Sequence, residues 1–574
     1  MKKFLVVIQL YVSITGVAVF RYNNCILYQR NYTYLMMQKA NLYNCPLLKN
    51  KLDDWQFSQS RLVCLPLDIE KQNYVRRNVK DAIFSVVLPT PLTTELKLVS
   101  CSEDALINIL DMSPSIAETS EFVEFIAGNK LLSSSIPLAH RYGGHQFGYW
   151  AMQLGDGRAI LLGEYINSAG ERWELQLKGS GRTPYSRDAD GRAVLRSSVR
   201  EFLCSEAMYY LGIPTSRAAA LIVSRDPVLR DQFYNGYTIT ERAAVVLRLA
   251  QSWFRFGSLE ILTRNKEFDS LKKLVDFIIT EHYPEIGAED EDRYVQLFRT
   301  VAHKTMDLAV DWMRVGFTHG VLNTDNMSIL AVTIDYGPFG FVEAYNSNFI
   351  PNTSDREGRY SYSKQLEIAI WNLQKLSEAM FPLLSESQIS SVMSIMKYME
   401  MYSKSKYRLA FLAKLGLKQE INFTTDDLLI MQLLQMMEQT EADFTMTFRE
   451  LGDIPLESLK NVETLRKHGW SLPKLASHRN YVEFIEMYQK RLEQEKGTDD
   501  ERRKLMSSVN PRYVLRNWMA QSAIEKAEKD DFSEVRFLLE VFKTPYTLNE
   551  EAEKRGYADP SPDWASNIRV SCSS

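Results

Sequence analysis

The chain has 574 residues, 45% of them apolar and 24% charged, with a formal net charge of −4. That balance suits a globular protein with a sizeable core, and the length corresponds to about three to four domain-sized units. It excludes a basic nucleic-acid binder, because no polybasic tract occurs. Six scattered cysteines (Cys25, Cys45, Cys64, Cys101, Cys204 and Cys572) exclude a CxxC zinc framework and a disulfide scaffold.

The N-terminal stretch MKKFLVVIQLYVSITGVAVF sets two lysines before a mostly apolar run, the layout of a secretory signal peptide. With Gln9 and Ser13 inside it, no stable membrane span is expected. Residues 1–50 are therefore expected to form a leader or targeting segment outside the fold; translation starting at Met36 or Met37 is the alternative. From Leu52 the sequence reads as globular. AIFSVVLPTPL (Ala82–Leu92) is β-rich, and SEDALINILDM (Ser102–Met112) has an N-cap Ser followed by acids, which predicts a helix. A helical hairpin is read through IAETSEFVEFIAGN. A Gly-rich stretch containing GDGR (155–158) leads into the strand AILLGEY, and INSAGER signals a turn. WELQLK then alternates, with Trp173, Leu175 and Leu177 on one face and Glu174, Gln176 and Lys178 on the other.

GRAVLRSSVREFLCSEAMYYLGIP predicts an amphipathic helix stopped by Gly212 and Pro214, with Glu201 at the edge of its apolar stripe. AAALIVSR and AAVVLRLA predict two more strands. Beyond Phe256 the pattern turns helical through SLKKLVDFIITEHY, YVQLFRTVAHKTMDLAVDWMRVG, QLEIAIWNLQKLSEAM and RNYVEFIEMYQKRLEQ. The segment SILAVTID reads as a short buried strand between Asp325-Asn326 and Asp335, which stand ten positions apart. EQEKGTDDERRK reads as a solvated loop. A β-rich first half and an α-rich second half predict two lobes with a cleft.

The chemistry-bearing residues fall in a meaningful order. A Gly-rich turn brings backbone N–H groups near phosphate. Lys178 offers a point charge that Glu201 can aim. Asn326 and Asp335 offer oxygen ligands to Mg²⁺, and Asp325 can accept a hydroxyl proton. Each piece alone has a bland alternative: a common turn, a solvated lysine, a surface helix acid, an Asx-turn, a strand-end cap, a structural His319. Together they follow the order of a protein kinase. Two features depart from it: Asn326 is adjacent to Asp325 rather than five residues later, and no GxGxxG occurs. Arg158, Arg248 and Arg255 crowd the cleft strands, where a kinase presents apolar side chains to adenine, so phosphates are expected there instead.

The blocks HRYGGHQFGYWAMQLGDGRAILLGE, LQLKGSGRTPYSRDADGRAVLRSSVREFL, HGVLNTDNMSILAVTIDYGPFGF and NPRYVLRNWMAQSAIEKAE, with the tail VSCSS, resemble the selenoprotein O family from about His140 to Ser574, and more weakly from near Leu52. The resemblance implies an α+β, bilobal protein-kinase-like fold: a β-rich N-lobe with nucleotide-binding elements (51–256), a mostly helical C-lobe with the catalytic loop and metal site (257–420), and a helical C-terminal region and tail (421–574). It implies ATP bound in a flipped orientation and AMP transfer to Ser, Thr or Tyr hydroxyls of proteins. Gly155, Gly157, Arg158, Lys178, Asp190, Gly191, Arg248, Arg255 and Asp335 match the ATP-contacting positions. Asp325 matches the proton acceptor, Asn326 and Asp335 the Mg²⁺ ligands, and Glu201 the partner of Lys178. Kinase-type γ-phosphoryl transfer, UMP transfer with Mn²⁺ and a non-catalytic ATP-binding pseudokinase are the alternatives. Cys572 stands where animal relatives carry selenocysteine. The loop after the metal Asp has Pro351 where some members have Cys, so a loop-to-tail disulfide is not expected, while a thiol role for Cys572 stays open. Eukaryotic relatives are mitochondrial, in contrast to the secretory layout of this N-terminus.

Overall fold

In the strand Arg172–Lys178, Leu175 and Leu177 enter one apolar core, and the intervening Glu174, Gln176 and Lys178 face the other way. The computed structural model describes residues 48–70 and 73–571. Its central sheet has nine strands among the described residues. They are β1 (Leu67–Asp68), β2 (Phe84–Val86), β3 (Leu96–Cys101), β4 (Leu138–His140), β7 (Ala159–Ile166), β8 (Arg172–Lys178), β9 (Ala193–Val194), β10 (Arg217–Asp231) and β11 (Thr238–Ala250); β5 (His145–Gln146) and β6 (Tyr149–Trp150) form a separate ribbon. The order is β1-β2-β4-β7-β8-β11-β10-β3, with β9 on β11. Only the β1–β2 pair is parallel.

Both faces of the sheet are covered, which is why β10 and β11 read as nearly unbroken apolar runs. On one face Ile222, Val245 and Leu247 pack with Trp55, Leu106 and Phe125. On the other, Leu221, Val223 and Val246 meet the helix α1 (Leu195–Tyr210) and a core continuous with the second half of the chain. The helices Asn517–Ala527 and Ser533–Lys543 close over α1. Glu201, on the side of α1 that faces the sheet, is buried against Lys178 and Arg248, although its place at the edge of the stripe suggested exposure.

The second half is helical, as expected: α2 (Phe256–Arg264), α3 (Arg293–Arg314), α4 (Gln365–Met380) and α5 (Glu386–Lys414) pack together, followed by shorter helices to Lys554. None of the described helices is long and apolar enough to cross a membrane. The predicted helix after Ser102 is present as Glu103–Asn108, its first turn capped by the Ser102 hydroxyl. The predicted helical hairpin is a single helix, Ser120–Ala127, preceded by a 3₁₀ turn, because Thr119 caps a new helix there. Of the expected leader, residues 1–47 lie outside the described set, whereas residues 48–50 are part of the fold: Lys49 bridges Met112.

Two further expectations are corrected. EQEKGTDDERRK is not a loop throughout; a helix, Asp499–Val509, begins within it. Thr498 and Glu501 form a capping box, and three acids fill the first turn, so the charge run is a helix start. SILAVTID is not a strand. Ala331 adopts φ +52°, Ala331 N–H donates to Ser328 O at 3.0 Å, and Met327 bridges back to Thr333. An extended segment would hold its flanking acids roughly 33 Å apart at ~3.3 Å per residue. The reversal instead returns the chain to the same cleft.

Candidate active site

The cleft face of the sheet carries the cationic residues, and the loops below it carry the acids. Lys178 ends β8 beside Val246 of β11, and Arg248 follows two residues later on the same face. Lys178 Nζ lies 2.6 Å from Glu201 Oε2 and 3.3 Å from Asp335 Oδ1. Arg248 bonds Glu201 at 2.8 Å and also reaches Asp335 Oδ1 and Gln176 Oε1. Arg255 Nη1 donates to Asp335 Oδ2 at 3.2 Å and to the Asp325 carbonyl at 3.1 Å. Trp253 and Tyr142 present ring faces to Arg248 and Arg255, 4.4 and 4.1 Å from their guanidinium carbons.

Asp335 therefore sits among three cations. Burial acts to raise its carboxyl, but Arg248, Lys178 and Arg255 overcome this and hold it well below the usual carboxylate range. Its backbone is left-handed, φ +58°, an uncommon conformation for a non-glycine residue that aims the side chain into the cleft. Asp325, in a 3₁₀ turn over Thr324–Asn326, has the opposite environment. Burial pushes its carboxyl up to about 6, against the lowering effects of the Gln146 hydrogen bond and Arg255. Its Oδ2 accepts from Gln146 Nε2 at 3.1 Å, while Oδ1 is buried without a hydrogen-bond partner. Two carboxylates in one cleft are thus driven apart, one firmly ionised and one poised near neutrality.

Both acids border a cavity of about 730 Å³ that also takes in Gly155, Gly157, Arg158, Lys178, Gly191, Glu201, Arg248 and Asn326. Gly155 has φ +107°, and a Cβ there would lie 2.5 Å from the Tyr185 ring, so only glycine fits. Two expected residues are set back from the cavity wall. Arg255, 1% exposed, lies behind Asp335. Asp190 turns aside to bind Arg230 through two bonds of 2.7 and 2.8 Å, and it is Arg230 that lines the cavity. Cys572 lies outside the described residues. His319 is structural: its Nε2–H donates to Ile334 O at 3.1 Å, just before Asp335.

Sequence reasoning gave no site role to Gln146, Asp156, Gln176 or Arg230. Asp156 accepts from His140 N–H and Gln176 Nε2, and burial pushes its carboxyl up to about 6. The alternation of β8 puts Gln176 on the same face as Lys178, which was the available signal; Gln146 left no local one.

Among the described residues no cluster of three or more His, Cys, Asp or Glu could hold a metal by itself. The donor set instead fits a cation that takes one or two protein oxygens and completes its shell on phosphate, as Mg²⁺ does. Asn326 Nδ2 is committed to Val321 O at 2.8 Å, which leaves its amide oxygen as the ligating end. Asp335 accepts two cations on Oδ1 and one on Oδ2, so of about four lone-pair sites one remains, on Oδ2. Chemically, the site offers a cationic wall for phosphates, a two-oxygen metal seat and an isolated carboxylate for a proton.

Residues 71–543 match the family model described as Protein adenylyltransferase SelO. The chain is 42% identical over 556 residues to a protein of Nitrosospira multiformis named Protein nucleotidyltransferase YdiU, covering 91% of this chain and 97% of that protein. Proteins of the same name from an Azoarcus species and from Rhodopirellula baltica are 43% and 42% identical, each alignment covering 89% of this chain and 96% of the relative.

Proposed function

Because the chain belongs to the SelO family of protein adenylyltransferases, we propose that it transfers AMP from ATP to Ser, Thr or Tyr hydroxyls of proteins and releases pyrophosphate. The observation that carries this reading is the meeting of Lys178, Arg248 and Glu201 with Asp335 at one cavity that Asp325 also borders. The family's kinase-like architecture, with ATP reversed relative to kinases, accounts for arginines where a kinase would grip adenine.

In this mechanism Lys178 and Arg248 bind the β- and γ-phosphates, and Arg255 supports them through Asp335. Glu201 holds both cations in place, and the Gly155–Gly157 turn, where a side chain would strike Tyr185, lets phosphate come close to the backbone at the cavity wall. Asn326 and Asp335 would hold Mg²⁺, which when bound supplies positive charge to the phosphate oxygens. The acceptor hydroxyl oxygen attacks the α-phosphorus, and its proton passes to Asp325. The bond from that phosphorus to the bridging oxygen breaks, and pyrophosphate leaves with the electron pair. Burial lifts Asp325 to about 6, which makes it a better base than an exposed aspartate and still leaves it mostly ionised at neutral pH.

Intact mass spectrometry of candidate substrate proteins, incubated with the chain, Mg²⁺ and either ATP or UTP with Mn²⁺, tests this reading. A gain of one AMP per modified hydroxyl is expected. A gain of UMP only would change the nucleotide, a gain of a single phosphate would make the chain a kinase, and no gain would leave a nucleotide-binding scaffold.

A further inference from the structure

The ribbon β5–β6 and the loop before Asp325 meet residue against residue. His145 N–H donates to Thr324 Oγ1 at 2.7 Å, Gln146 Nε2 to Asp325 Oδ2 at 3.1 Å, and Phe147 N–H to Asn323 Oδ1 at 3.2 Å. Three consecutive residues thus hold three consecutive residues. The ribbon is itself fixed: the His145 ring bonds Glu260 on α2 and packs between Trp150 and Trp371, and Tyr360 OH accepts a second bond from Phe147 N–H at 2.8 Å. The approach is close, since a Cβ on Gly144 would lie 3.0 Å from Asp325 Cβ.

We propose that Gln146 is a positioning residue that fixes which oxygen of Asp325 receives the acceptor proton. The inference rests on the proton-acceptor role of Asp325 proposed above. A free carboxylate can rotate and present either oxygen. Oδ1 is buried against Gly144, so of the two oxygens Oδ2 is the one that can face the cavity Asp325 borders, and it is Oδ2 that the Gln146 amide engages. A carboxylate oxygen has a second lone pair, so Oδ2, held by Gln146, is ready for an incoming hydroxyl without a preceding rotation. Gln146 also borders the cavity, so it can hold this contact while substrate is bound.

The test compares Gln146→Met, which keeps chain length but removes the donor, and Gln146→Glu, which keeps shape but opposes a second carboxylate. Each is combined with Asp325→Ala. Transfer is followed with α-labelled ATP, nucleotide binding by calorimetry, and the Gln146–Asp325 contact by the unfolding midpoints of the single and double variants. The expected result is kcat lowered about 10- to 100-fold, with KM for ATP and nucleotide affinity within about twofold. The midpoint shifts should be non-additive, and Gln146→Met should cost nothing further in Asp325→Ala. Unchanged kcat, an equal loss of nucleotide affinity, or additive midpoint shifts would overturn the proposal. If the wild type transfers nothing, the proton-acceptor reading fails, while the unfolding cycle still reports whether Gln146 engages Asp325.

Discussion

Lys178 and Asp335, 157 residues apart in the chain, stand 3.3 Å from each other, and Glu201 anchors the same lysine at 2.6 Å. One residue ends a strand of the central sheet, and the other follows a reversed loop of the helical half. Their contact joins the two halves at the cavity, so Asp335 has a structural part beside the metal-holding one proposed for it.

Asp335→Ala leaves Lys178, Arg248 and Arg255 gathered around a missing charge. Removing one partner of a buried ionic cluster is costly, so unfolding stability should fall by on the order of 3 kcal/mol. Asp335→Asn keeps the volume and should lose less stability, while transfer drops below detection in both. Urea unfolding alongside a transfer assay checks this; a stable and active Asp335→Ala would remove Asp335 from the site.

Lys178→Met and Lys178→Arg should both weaken nucleotide affinity at least about tenfold. Arginine should not restore it, because a planar fork cannot replace a point charge held by Glu201 in a buried pocket. Calorimetric titration with ATP reads the effect directly.

Transfer should fall as pH drops through about 6, because a protonated Asp325 cannot accept the hydroxyl proton. Asp156 is also pushed up to about 6, so the limb needs assigning. Asp156→Asn should retain it. Its disappearance in that variant would assign the limb to Asp156 instead.

His140 is packed among Phe84, Tyr142 and Phe254, and burial, with Arg255 nearby, holds its ring well below 6.5. The unfolded chain therefore binds a proton that the folded chain excludes, and stability from this group is lost as pH falls below about 6.5. Relative to His140→Phe, the wild type should lose about 1.4 kcal/mol per pH unit in that range. Parallel curves for the two proteins would rule this out.

Much of this arrangement was legible in the sequence, for identifiable reasons. The alternation of β8 placed Lys178 on the face opposite Leu175 and Leu177, and a strand period is a local property. The order of Lys178, Glu201, Asp325 and Asp335 suggested the chemistry proposed for the cleft, and the fold does bring the four to one cavity. What stayed hidden depended on distant partners. Glu201 is buried because α1 packs its side chain against Lys178 and Arg248 of the sheet, which its own helix pattern cannot reveal. SILAVTID was misread because an apolar run carries no sign of reversal and the left-handed residue at the reversal is Ala331, not glycine. Gln146 reaches Asp325 across 179 positions, and nothing near either residue marks the pairing.

The central claim is that this cavity moves the α-phosphorus of a nucleotide and not the γ. Parallel reactions with ATP labelled at one or the other phosphate, run with wild type and Asp325→Ala, decide it. The account predicts protein-bound label from the α position only, and none from Asp325→Ala. Label from the γ position, or undiminished labelling by Asp325→Ala, would contradict it.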